Sequence, residues 1–384
     1  MGGNDMNDWF SLSVAKNEAF CNRIKERKHL KYNIHHTVHT LLISPRRYGK
    51  SSLALQTISE TKLPNVTMDF TLTSDKNNAQ NIINAAVGNL LAKLAPVHKK
   101  ALDLATKFFS RMQPRLVLDT QFGMRIELHP EFSSPQMAIN EILLNADKFA
   151  IAANKRAVIL MDEFQQIATL NDAVTIEAAI RNAAQIMQNI SLIFSGSNRH
   201  LMQMIFDDSH RPFYHLCDRI NLDRIAADDY RAHLQKAAED CWQRSLPNEC
   251  IEQILLLSQR HSYYLNVICS RLWRNEKMFV LDDINHVWQQ YLAEEQDRIG
   301  ADIAKLGNYQ RQLLLLLAIQ PFKQPTSKEV VHKLGASVGS VAKAFNILMR
   351  NDYVYLDTVS GNYKILDPLL ESYLQNQARF LFAQ

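Results

Sequence analysis

Nine residues, Ser44-Pro45-Arg46-Arg47-Tyr48-Gly49-Lys50-Ser51-Ser52, restrict what this chain can fold into more than any other stretch. Upstream, Thr37 to Ile43 carries Val38, Leu41, Leu42 and Ile43, an apolar and β-branched run suited to a buried strand. Downstream, Leu53, Ala54 and Leu55 open a helical pattern. Strand, tight loop, Gly-Lys-Ser and helix form the context that a phosphate-binding loop requires. The first N–H groups of such a helix lack intrahelical acceptors and point at an anion. In that reading Pro45 to Ser52 cradle a nucleotide, Lys50 offsets β/γ-phosphate charge and Ser51 contributes a hydroxyl to Mg²⁺. Ser44 stands where the usual pattern has its first glycine, so a residue with a Cβ must reach the angles of that turn. The competing reading is a surface turn that contains Gly-Lys-Ser.

A second motif decides between them. Arg156-Ala157-Val158-Ile159-Leu160-Met161-Asp162-Glu163-Phe164 is an apolar run ending in two carboxylates. Such a run fits a central parallel strand covered on both faces, and ligands of open α/β sheets sit at the carboxyl ends of those strands. Asp162 is the expected Mg²⁺ ligand, and Glu163 the group that orients or deprotonates an attacking water. Ile190 to Ser195 reads as a neighbouring strand ending in Gly196-Ser197-Asn198-Arg199. Ser197, Asn198 or Arg199 would then face the γ-phosphate, while Ser197 or Asn198 also fits the N-cap of the helix that follows. Arg211 and Arg219 are open to a phosphate contact or to ordinary ion pairing.

The 384 residues favour two or three domains, and 47 % hydrophobic with 21 % charged content is that of an ordinary globular chain. A net charge of +4 gives no whole-molecule case for nucleic acid, although local basic patches stay open. Five scattered cysteines without a Cys-x-x-Cys pair read as reduced thiols. The start of the chain lacks the pattern of a secretory signal, and the apolar run Leu313 to Ile319 is too short to span a bilayer. A cytoplasmic location is expected, with no membrane partner.

Further elements read in order are an amphipathic helix near Phe20 to Leu30 and a strand at Asn65 to Phe70. Helices follow at Asn77 to Leu94 and His98 to Met112, then a hairpin near 114–130 and a helix from Met137 to Ala153 after Ser134. Asp228 to Trp273 is helical. Asn308 to Ile319, a short helix ending at Leu334 and a longer one from Ser337 to Arg350 precede two short strands, Tyr353 to Leu356 and Asn362 to Leu366. Three helices and a two-stranded wing describe a winged helix-turn-helix. Its recognition helix exposes Lys343 and Arg350 but little other positive charge, so a protein-contact role weighs at least as much as DNA reading.

Taken together these residues resemble the archaeal-type ATPases, relatives of the STAND and AAA+ P-loop ATPases. The likeness rests on Phe20, Arg23 and Glu26, on Pro45 to Leu53, on Met161-Asp162-Glu163-Phe164 and on Phe194-Ser195-Gly196-Ser197. It continues through Arg211-Pro212-Phe213-Tyr214, His261-Ser262-Tyr263-Tyr264-Leu265 and Leu366-Asp367-Pro368-Leu369. Ser262 stands where the family often has proline.

The resemblance implies an α/β fold: a P-loop NTPase core with a parallel sheet, a helical lid domain and a winged helix-turn-helix domain. The expected spans are 1–224 for the core, 225–300 for the lid and 301–384 for the winged helix. It also implies γ-phosphate sensing by Ser197, Asn198 or Arg199, and a lid junction near His261 that approaches the nucleotide. The leading expectation is an ATP- and Mg²⁺-using switch or remodeller that hydrolyses ATP. The alternatives are a DNA-binding regulator with a structural core, or a nucleotide binder without turnover. A protein or DNA partner at the winged helix and assembly with further copies of the chain are both compatible with it.

Overall fold

The computed structural model describes residues 9–95, 98–110, 113–119, 123–128, 135–275, 277–357 and 360–382. Two compact units divide the chain, one of Arg23–Asp223, the other of the residues before Arg23 together with Arg224–Gln384. Two expected boundaries therefore differ. The segment ahead of Arg23 belongs to the second unit, and residue 300 falls inside a continuous helix (Leu281–Ala304).

The first unit runs α1 (Ile24–His35), β1 (Thr40–Ile43), α2 (Lys50–Thr61), β2 (Asn65–Asp69), α3 (Lys76–Leu94) and α4 (His98–Phe108). There follow β3 (Arg115–Asp119), β4 (Gly123–Glu127), α5 (Pro135–Ala152), β5 (Ala157–Asp162), α6 (Ala173–Ala184), β6 (Ile190–Gly196), α7 (Arg199–Asp207) and β7 (Asp218–Asn221). Five of the strands form a parallel sheet in the order β2-β5-β6-β1-β7. Strand β6 is buried along its whole length and β5 up to Met161. Burial on both faces explains why those two strands read as unbroken apolar runs.

The first helix starts at Ile24, later than its apolar pattern suggested; Leu30 is fully buried, but Phe20 lies in the other unit. Helix α4 stops at Phe108, and the expected Met112 end and Ser134 cap lie outside the described residues.

Strands β3 and β4 pair antiparallel as a separate hairpin on α3. Gly88 of α3 permits this, because a Cβ there would come within 1.9 Å of the Ile126 carbonyl oxygen. Gly88→Ala is expected to destabilise the unit: overpacking against backbone costs about 1–3 kcal/mol, more than the gain of about 1 in helix propensity. Thermal unfolding checks it, and a variant as stable as wild type would mean that the hairpin yields freely.

The second unit holds α8 (Ala227–Trp242), α9 (Asn248–Ser258), α10 (Ser262–Leu272) and α11 (Leu281–Ala304). It continues with α12 (Asn308–Ile319), α13 (Lys328–Leu334), α14 (Val338–Arg350), β8 (Val354–Asp357), β9 (Asn362–Ile365) and α15 (Pro368–Phe382). Helices α12 to α14 followed by the antiparallel β8–β9 pair have the order of a winged helix, and a bridge from Phe322 to Tyr363 widens the wing. Two of the quoted motifs meet here, since the Tyr264 hydroxyl donates to Asp367 Oδ2 at 2.6 Å. Phe10 packs on Trp273 with ring centroids 4.6 Å apart, which ties the N-terminal segment to these helices.

All five cysteines are free, and among the described residues no helix is long and apolar enough to cross a membrane.

Candidate nucleotide site

Strand register brings the site together. Ile43 of β1 lies level with Gly196 of β6, and Met161 of β5 level with Phe194, so three strands end on one edge of the sheet. Beyond β1 the chain turns through Ser44 to Gly49 and enters α2 at Lys50. The left-handed angles fall on Arg47 (φ 63°) and Gly49 (φ 85°), not on Ser44. Serine at the first position is therefore accommodated without backbone strain. No atom lies near a Cβ built on Gly49, so glycine is favoured there by conformation and not by space.

Lys50 is only 6 % exposed, and its ammonium donates to the Ser44 carbonyl (3.1 Å), Ser44 Oγ (3.2 Å) and the Pro45 carbonyl (3.0 Å). The loop is held closed on its own lysine by neutral oxygens. Arg46 and Arg47 are exposed, whereas Tyr48 is buried. Arg23 fastens the loop from outside, donating to the Tyr48 carbonyl (2.9 Å) and to the Asp223 carbonyl (2.8 Å).

Ser51 and Asp162 meet directly, Oγ to Oδ2 at 2.9 Å. The other carboxylate oxygen of Asp162 accepts from Ser195 Oγ (2.8 Å) and from the Glu163 N–H (3.0 Å). Glu163 adopts φ 51°, and its Oε2 accepts from Ser197 Oγ at 2.8 Å and from Gln165 Nε2. Asn198 caps α7, accepting the Leu201 N–H at 3.0 Å, and Arg199 begins that helix. Of the three γ-phosphate candidates, Ser197 touches the acidic pair and Asn198 uses its side-chain oxygen as a cap.

Beneath the acidic pair, Phe164, Phe194 and Phe213 are fully buried with centroids 4.9–5.4 Å apart, which fixes the chain after β5. Arg211 pairs with Glu177 at 3.2 Å, and Arg219 pairs with Asp207. Burial pushes the Glu177 carboxyl up to about 7, against the pull of Arg211. Both arginines thus have partners inside this unit.

Three contributors had no role assigned to them from the sequence. Ser195 is one of two serines in an otherwise apolar, fully buried strand, and its place at the carboxyl end was its available signal. Gln165 is buried, its Oε1 lacks a hydrogen-bond partner, and it fills the space that a Cβ on Gly196 would take. The role of Arg23 rests on backbone carbonyls of Tyr48 and Asp223, which no spacing reveals.

Comparison with known proteins agrees with this fold. A Walker-type ATPase of Pyrococcus abyssi superposes with a TM-score of 0.67 at 16 % identity, covering 94 % of this chain and 97 % of that one. The fold is that of a Walker-type P-loop ATPase. The ORC2 protein of Aeropyrum pernix, solved in ADPNP and ADP complexes, superposes with a TM-score of 0.55 at 11 % identity over 96 % of this chain and 98 % of its own. No family model matches the chain, and no curated protein does.

The oxygen donors fit a hard divalent cation: Ser51 Oγ and Asp162 Oδ2 already lie 2.9 Å apart at the mouth of α2. Mg²⁺ needs only one or two such protein ligands when phosphates and water complete its shell.

Proposed function

We propose that this chain binds ATP with Mg²⁺ in its Arg23–Asp223 unit, hydrolyses it, and works as a nucleotide-dependent switch or remodeller. The observation that supports it best is the convergence of Ser51, Asp162, Glu163 and Ser197 beside the N-terminus of α2. Residues Pro45 to Ser52 surround the phosphates, Arg46 to Ser52 through backbone N–H groups, and the Lys50 ammonium exchanges its loop oxygens for phosphate oxygens. Ser51 and Asp162 are the residues that would hold Mg²⁺, which when bound neutralises charge on the transferred phosphate. Glu163 orients the attacking water and receives its proton, and Ser197 positions the Glu163 carboxylate. Arg199, in the first turn of α7, takes the γ-phosphate contact.

In this reading the lid extends from α8 through α11, and α12 to β9 form the winged helix. A protein partner suits that winged helix better than DNA, because the wing lysine Lys364 is already paired with Asp357 at 2.6 Å. The free cysteines suit a reducing, cytoplasmic setting.

Switching requires ATP and ADP to differ in what they contact, and only ATP carries the γ-phosphate. Hydrogen exchange across residues 327–350 is expected to differ between ADP and a non-hydrolysable ATP analogue, and Arg199→Ala to abolish the difference. Identical exchange in the two states at saturating nucleotide would reduce the ATPase unit to a static scaffold.

A further inference from the structure

The edge of the sheet opposite the nucleotide site carries a concentration of positive charge that the ATPase reading leaves unused. A cleft of about 740 Å³ opens at the amino-terminal ends of β2 and β5. Lys62, Lys93, Lys155 and Arg156 line it, and none of its lining residues is acidic. The surface continues onto α1, because an Arg156 guanidinium nitrogen donates to the His35 carbonyl at the end of that helix.

Along α1 the carboxylates nearby are already engaged. Glu26 pairs with Arg23, Glu60 with Arg27, and Asp218 with His29. Lys25, Lys28 and Lys31 have no ion pair among the described residues. Lys25, Lys28 and Tyr32 are exposed at helical spacing on one face. Tyr32, 57 % exposed, stacks on His36 with centroids 3.9 Å apart, which puts an aromatic platform amid the lysines.

A simpler explanation is that these cations balance helix dipoles. Helices α1, α2, α3, α5 and α6 end at this edge, each contributing about half a negative charge. That is well short of Lys28, Lys31, Lys62, Lys93, Lys155 and Arg156 together. The whole chain carries only +4, so the excess is local. Alternating cations with an exposed aromatic pair fit a sugar-phosphate backbone and an unpaired base better than an acidic protein, which would leave the ring platform without a partner.

We propose that this face binds single-stranded nucleic acid through its phosphates, with Tyr32 stacking on a base. The surface shares no residue with the phosphate loop or with the winged helix, so its test is independent of the ATPase reading. Anisotropy of a labelled 25-nucleotide single strand, as DNA and as RNA, is measured with the full chain over a salt series. Binding of either is expected to weaken with salt, by a log–log slope of about 0.7 per phosphate contact.

The triple variant Lys28→Glu/Lys62→Glu/Lys155→Glu is expected to lose at least tenfold in affinity and to show a shallower slope. Tyr32→Ala is expected to lose about fivefold. Lys343→Glu/Arg350→Glu in α14 and Lys50→Ala should both bind the strand as wild type does. Unchanged binding by a folded triple variant would overturn the proposal. So would loss of binding in the α14 variant alone, or displacement of the strand by polyglutamate at equal charge concentration.

Discussion

Glu163→Gln is expected to leave ATP binding intact and to lower steady-state hydrolysis about a hundredfold, the usual scale of a lost general base. The substitution preserves shape. Glu163 Oε2 accepts from Ser197 Oγ and from Gln165 Nε2, and an amide oxygen can accept both of those bonds. Phe164 stays packed against Phe194 at 4.9 Å, so the strained turn at φ 51° is held from below in either variant. What glutamine cannot do is take a proton from water. Phosphate release at saturating ATP reads the chemistry, and a parallel binding measurement separates it from affinity. Unchanged hydrolysis would return Glu163 to the status of a residue in an acidic turn.

The parts of the fold that sequence made legible are those where one residue type answers one physical need. Gly49 marks a left-handed backbone position, and the apolar run into Asp162 marks a strand covered on both faces. The Lys50, Ser51 and Asp162 assignments follow from the same two motifs, and the structure brings those residues to one edge of the sheet.

Helices α6, α11 and α15 were not anticipated. In α11 the buried Ile284, Trp288, Tyr291, Leu292 and Ile299 are interspersed with acidic and amide residues, which dilutes the apolar period. The boundary expected at 300 failed for the same reason, since an unrecognised helix was cut in two. Ser44 shows the opposite error. A departure from the glycine pattern suggested a constrained turn, yet the positive φ angles lie at Arg47 and Gly49, and Ser44 instead supplies two oxygens to Lys50. Contacts such as Gln165 on Glu163 depend on side-chain reach across a loop, which spacing along the chain does not encode.

The ammonium of Lys50 is the clearest expression of the site. It is nearly buried, and Ser44 O, Ser44 Oγ and Pro45 O satisfy its donors with neutral oxygens at 3.0–3.2 Å. Phosphate oxygens would replace neutral acceptors with anionic ones, adding the attraction of opposite full charges to bonds that the ammonium already assists. Lys50→Ala removes that exchange, and leaves the loop carbonyls to solvent. The expected loss in ATP affinity is at least tenfold, about 1.4 kcal/mol or more. Isothermal titration of ATP with Mg²⁺ into wild type and Lys50→Ala, with folding checked by circular dichroism, tests the account most directly. Saturable binding to wild type that weakens tenfold or more in the variant is the predicted result; equal affinity in the two proteins would contradict the assignment of this loop to the nucleotide.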